Sequence, residues 1–239
     1  MTLSAFVAYS SSAQLAIEAI RNAVNSIKHT HSAQLQIKTW EELDIPGRFI
    51  ATEVLGEIDS ADFLIADISK PNFNVFYEIG YAIGKGRRVL LIKHRSISDD
   101  ISFNELGLFD TLGWEVYSNG GELAEILKAF NDVRPLHLGN KVNPNSPVYF
   151  VQPKHKTDYD GYILASIKKA PLRFRSFDPT ETPRLGARDA IANVSQSIGV
   201  VLHFLPTDNV DAPLHNLRTS FVAGLSDGMD KEKVFIQSG

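Results

Sequence analysis

The stretch from Asp62 to Ile92 most constrains what this chain can fold into. "DFLIAD" is a short apolar run bounded by acids, "VFYEIGYAIG" carries apolar residues at helical spacing, and "RVLLI" is a second short apolar run. A strand, a helix and a strand in that order predict two parallel strands joined by a crossover. The same alternation runs through the first 134 residues. "AFVAY" (Ala5 to Tyr9) reads as the first strand, with Ser10 to Ser12 placed to cap the helix that follows. That helix shows Ile17, Ile20, Val24 and Ile27 on one stripe. "LQIKTW" (Leu35 to Trp40) is a second strand, and Ile50, Val54, Leu55 and Ile58 share one side of the next helix. "WEVY" (Trp114 to Tyr117) and "GELAEILKAF" (Gly121 to Phe130) close the unit. Strands separated by helices at this pitch predict an α/β fold, a doubly wound parallel sheet with helices on both faces.

From Arg134 to Pro147 the composition changes to "RPLHLGNKVNPNSP", with three prolines and three asparagines, which reads as a linker over residues 135–147. Beyond it the pattern restarts. "VYFVQ" (Val148 to Gln152) parallels the first strand, "YDGYILASIKKA" the first helix, and "LRFRSFD" the second strand. "ARDAIANVSQSIG" parallels the helix before the third strand, "VVLHFLP" that strand, "HNLRTSFVAGLSDG" the helix bearing Glu78, and "KVFIQ" the strand after it. The expected organisation is a first α/β domain over 1–134 and a second, degenerate copy over 148–239. The second copy stops after its fourth strand, which suggests a piece of a longer polypeptide.

A formal net charge of −4 offers no global basic field for nucleic acid. The absence of cysteine excludes disulfides, thiolate metal sites and cysteine nucleophiles, and a reducing, cytoplasmic setting is the simplest expectation. No segment approaches the roughly 18 apolar residues that a membrane span needs. "GKGRR" (Gly84 to Arg88) lacks the Ser or Thr of a phosphate loop and reads as a helix stop. The "HTH" at His29 to His31 has no further ligands nearby, so neither a metal nor a cofactor is expected.

In open parallel sheets ligands bind beyond the carboxyl ends of the strands. Tyr9 ends the first strand and Asp67 the third, and Glu78 is placed in about the first turn of the next helix. Val75, Ile79, Ala82 and Ile83 make that helix's buried stripe, with Glu78 on its flank. A carboxylate near the helix start is favoured by free N–H groups and by the helix dipole, and this would keep it ionised as a nucleophile or charge stabiliser. The same placement also serves simply to stabilise a helix.

The segment "ADFLIADISKPNFNVFYEIGYAIGKGRRVLLI" resembles the core signature of the nucleoside 2-deoxyribosyltransferase-like proteins and the related nucleotide-binding TIR-like domains. The likeness covers residues 5–130 in layout and is specific over Ala61 to Ile92. It implies a flavodoxin-like fold and cleavage of an N-glycosidic bond in a nucleoside or nucleotide, plausibly NAD. Glu78 then matches the catalytic glutamate, Asp67 the substrate-binding or assisting aspartate, and Tyr9 a tyrosine that ends the first strand in some members. The transferases' second active-site aspartate is replaced by Asn72 or Asn74, which leans toward TIR-like glycohydrolases. The likeness also implies a bacterial defence effector gated by assembly, as a homo-oligomer or with further domains.

The chemistry suits these residue types, because a carboxylate beside the anomeric carbon stabilises an oxocarbenium-like state. Asp67, with its pKa raised by the apolar strand and by Glu78, is placed to assist the leaving base. Asn72, Asn74 and Ser10 are candidates to bind the sugar, Trp40, Phe73 and Tyr77 to stack on a base, and Arg48 to meet a phosphate. In the second copy the Glu78 position falls near Arg218 or Thr219, the acids are lost, and Arg218 and His215 are candidates for an anionic ligand. The alternative to an enzyme is a non-catalytic nucleotide-sensing module that relays a signal to a missing C-terminal effector.

Overall fold

The computed structural model describes residues 2–43, 49–98, 103–131, 133–139, 141–170 and 172–237. The first unit runs β1 (Leu3–Ala8), α1 (Gln14–Thr30), β2 (Leu35–Thr39), α2 (Ile50–Ser60), β3 (Phe63–Asp67), α3 (Phe73–Gly84) and β4 (Arg88–His94). A short α4 (Phe103–Leu106), β5 (Trp114–Tyr117) and α5 (Gly120–Ala129) complete it. Its five strands lie in the order β2-β1-β3-β4-β5, all parallel. This is the flavodoxin-like doubly wound order. β3 lies near the centre of the sheet, and all five of its residues are buried. A strand covered by helices on both faces has no solvent side, so its sequence reads as a continuous apolar run.

The second unit repeats the plan. β6 (Val148–Val151), α6 (Asp158–Lys169), β7 (Phe174–Phe177), α7 (Ala187–Ser195), β8 (Gly199–Phe204), α8 (Ala212–Gly228) and β9 (Glu232–Gln237) follow in order. Their parallel strands are arranged β7-β6-β8-β9, the first sheet's order without a fifth strand. Among the described residues no helix is long and apolar enough to cross a membrane.

The two units meet through α3 and α8. A Cβ at Gly80 would come within 3.0 Å of the Phe221 carbonyl oxygen, one at Gly84 of the Leu225 oxygen, one at Gly224 of the Tyr77 oxygen, and one at Gly228 of the Tyr81 oxygen. The contacts are reciprocal and advance in the same sense along both helices, so the helices run parallel, related by a local two-fold. Only glycine permits backbone to touch backbone in this way. Gly80 therefore pairs with Gly224 and Gly84 with Gly228, which sets Val222 at the Glu78 position. The expectation of Arg218 or Thr219 there was short by about one turn, because the apolar pattern of α8 carries no strong phase and only the glycine contacts fix its register. Tyr77 is drawn into this interface, with its hydroxyl donating to Asp227 and its ring stacked on Tyr81, and so is not a platform for a base. The core that surrounds α3 and α8 is continuous, from Phe6, Leu64 and Leu91 of the first sheet to Tyr149, Val200 and Leu202 of the second.

Two helix ends bear on the site. α3 stops as its sequence predicts: Gly86, at φ +77°, lets its N–H reach the Ile83 carbonyl while the Arg87 N–H reaches that of Ala82. The serine cap expected for α1 does not form. Ala13 occupies the N-cap without a side-chain hydrogen bond, and Ser10 instead pairs its hydroxyl with that of Ser12 at 2.9 Å.

Candidate functional site

The carboxyl ends of the first sheet gather Tyr9, Ser10, Trp40 and Asp67 along one edge, and α3 adds Asn72, Asn74 and Glu78. Arg48 lies outside the described residues, as does the rest of segment 44–48 leading into α2.

Asp67 is fully buried and fully engaged. Its Oδ2 accepts the Tyr117 hydroxyl at 2.6 Å and the Ser69 hydroxyl at 2.9 Å, and its Oδ1 accepts the Ser69 N–H at 3.1 Å. The Ser69 hydroxyl oxygen in turn accepts the His94 N–H at 2.6 Å. The carboxylate thus ties together the ends of β3, β4 and β5. Burial pushes its pKa up, against the hydrogen bonds from Tyr117 and Ser69 that pull it down. Tyr117, Ser69 and His94 had no distinguishing signal in the sequence. Strand pairing alone brings them together, with His94 opposite Tyr117 and Asp67 opposite Ile92.

Glu78 stands in the second turn of α3, whose first turn holds no acid. The free N–H groups at the helix start are served instead by Asn72, the N-cap, whose Oδ1 accepts the N–H groups of Asn74 at 2.9 Å and Val75 at 3.3 Å. One turn further in, Glu78 is half-buried and has no hydrogen-bond or ionic partner among the described residues. Burial alone pushes its pKa up to about 8, so at neutral pH the carboxyl is protonated rather than held ionised by the helix end. It shares a flank of α3 with Tyr81, three residues on, whose hydroxyl donates to Asp59 of α2 at 2.9 Å. Glu78 therefore lies toward the α2 side. Neither acid contributes to the other's shift: burial, not a charge on Glu78, raises Asp67.

Tyr9 is buried with its ring centroid 6.1 Å from that of the half-buried Trp40. Its hydroxyl makes no hydrogen bond of regular geometry, and burial, with Glu41 nearby, pushes its pKa up to about 12. Ser10 is buried, whereas Asn74 and Phe73 are exposed at the start of α3. No protein-family model matches this chain, and no curated protein matches it.

Proposed function

We propose that the carboxyl edge of the first sheet hydrolyses the N-glycosidic bond of a nucleoside or nucleotide, with Glu78 as the proton donor. The observation that carries the reading is the half-buried carboxyl of Glu78, which has no partner among the described residues and whose pKa burial pushes up to about 8. An acid so tuned holds its proton at neutral pH and can surrender it in a transition state, as the acid carboxyl of a glycosidase does. In the proposed step the C1′–N bond breaks, its electron pair goes to the base nitrogen, and the Glu78 proton neutralises the departing base. Water then adds to C1′ and returns a proton to Glu78. The exposed Asn74 side chain is available to sugar hydroxyls, and Trp40 to the base. Asp67, with both oxygens engaged, acts as a positioning residue that holds the β3–α3 loop.

This assignment favours purine or pyrimidine nucleosides, whose bases leave as anions unless protonated. Nicotinamide leaves NAD⁺ as a neutral molecule and gains nothing from an acid. The test is release of free base from nucleosides, and of nicotinamide from NAD⁺, resolved by chromatography. Glu78→Gln is expected to cut nucleoside hydrolysis about 100-fold or more, and the wild-type rate to fall as pH rises through about 8. Base release that persists in Glu78→Gln overturns the proposal.

A second reading, nucleotide sensing without turnover, is favoured by the second unit. There Val222 stands at the Glu78 position, yet a cavity still opens at the corresponding edge.

A further inference from the structure

The cavity beyond the carboxyl ends of β6 and β7 has a volume of about 470 Å³, within the range of small-molecule sites. Its lining comes from both units, with Glu105 of α4 on one side and Gln152, Lys154, Asp211, His215 and Arg218 on the other. We propose that it binds a small organic anion of mononucleotide size, whose phosphate or carboxylate meets Arg218 and Lys154 and whose hydrogen-bonding edge meets Gln152.

Arg218 is 3% exposed and makes no ion pair with a carboxylate among the described residues. Its Nε donates to the Leu106 carbonyl at 3.1 Å, and its Nη2 to the carbonyls of Glu105 and of Pro183, the latter at 2.8 Å. The guanidinium rests over the Phe177 ring, 5.1 Å from its centroid. Among the described residues its direct hydrogen bonds go to carbonyls alone, so no carboxylate pairs with the guanidinium at contact distance, and an anion in the adjoining cavity would complete its shell. Lys154, at the rim, is exposed and forms no ion pair among the described residues. Two carboxylates also line the cavity. Asp211 is turned toward His155, accepting its N–H at 2.6 Å and its ring Nδ1 at 3.0 Å, and both Glu105 and Asp211 lie close enough to favour the charged form of Arg218.

Gln152 supplies the second, independent pointer. It is 5% exposed, its Nε2 donates to the Ser176 hydroxyl at 2.7 Å, and its Oε1 is buried without a partner. The Ser176 hydroxyl serves one end of the amide whichever way the amide is placed, so the other end stays unpaired. Leaving such a group unpaired carries its full desolvation cost, which a ligand donor would relieve. His215, beside it, donates from Nε2 to the His203 carbonyl at 2.7 Å, which leaves Nδ1 as an acceptor. Two acceptors and a buried cation in the lining of one cavity fit a molecule that is anionic at one end and carries N–H or O–H donors at the other.

The test is calorimetric titration of the whole chain in the Glu78→Gln background, which removes the proposed turnover and leaves the second unit intact. The probes are AMP, adenosine, citrate and inorganic phosphate. AMP is expected to bind saturably at a site whose affinity depends on Lys154 and Gln152. Lys154→Ala, an exposed change that does not threaten folding, is expected to weaken AMP about tenfold. Gln152→Leu should weaken AMP and adenosine while leaving inorganic phosphate unchanged. Citrate binding more tightly than AMP, with the same dependence on Lys154, supports the site and assigns the anion as a carboxylate. Absence of saturable binding by all four probes at millimolar concentration overturns the proposal. So does AMP binding that is indifferent to both Lys154→Ala and Gln152→Leu.

Discussion

Replacing Glu78 by Gln should stabilise the protein, and by more as pH rises. The carboxyl moves from an ordinary pKa of 4.5 in the unfolded chain to about 8 when folded, so above pH 4.5 the unfolded state releases a proton that the folded state retains. A folded pKa raised in an acid means that stability is lost with rising pH, starting near 4.5 and complete above 8. Each tenfold in proton affinity is worth about 1.4 kcal/mol. The penalty is then about 1 kcal/mol at pH 5, about 3 at pH 7 and about 5 at pH 9, all upper bounds, because water reaching a half-buried group lowers them. A Gln amide stays neutral throughout, so Glu78→Gln should exceed the wild type by about 1 kcal/mol at pH 5 and progressively more at pH 7 and 9. Urea unfolding of both proteins at the three pH values measures the difference directly. Parallel curves with no pH-dependent gap would refute the claim that this carboxyl is desolvated, and with it the acid role.

Two further predictions concern the frame that presents the site. Gly224→Ala should destabilise by about 1–3 kcal/mol in denaturant titrations, since the added methyl meets the Tyr77 carbonyl, a backbone atom that cannot step aside. Gly56→Ala in α2, with nothing within 4 Å, should instead stabilise by about 0.5–1 kcal/mol, and equal effects at the two positions would remove the case for a glycine-mediated seam. Asn72→Ala should cost about 1 kcal/mol through loss of its two cap bonds, read as a lower melting temperature; no change would mean that the cap carries no weight.

Much of the plan was legible because it is written in local periodicity. "DFLIAD" and "RVLLI" became adjacent parallel strands, and Val75, Ile79, Ala82 and Ile83 became the buried stripe of α3. The stop at "GKGRR" followed from one glycine at positive φ. The site was legible only in part. The position of Glu78 in its helix was misjudged by one turn, because Asn72 rather than a residue closer to Glu78 caps α3, and the sign of its electrostatics changed with it. The partners of Asp67 were invisible, since Ser69, His94 and Tyr117 come from three separate segments.

By itself the sequence determined two runs of alternating strand and helix, hence parallel sheets, and the acids and asparagines that stand near the carboxyl edge of the first. Periodicity and capping act over a few residues, so a chain declares them without its fold. Only the tertiary structure decided that the glycines of α3 and α8 face one another, that Asp67 is consumed by a hydrogen-bond network while Glu78 has no partner among the described residues, and that Gln152 and Arg218 meet at one cavity. Those outcomes depend on desolvation and on contacts between residues far apart in the chain, and no local pattern encodes either.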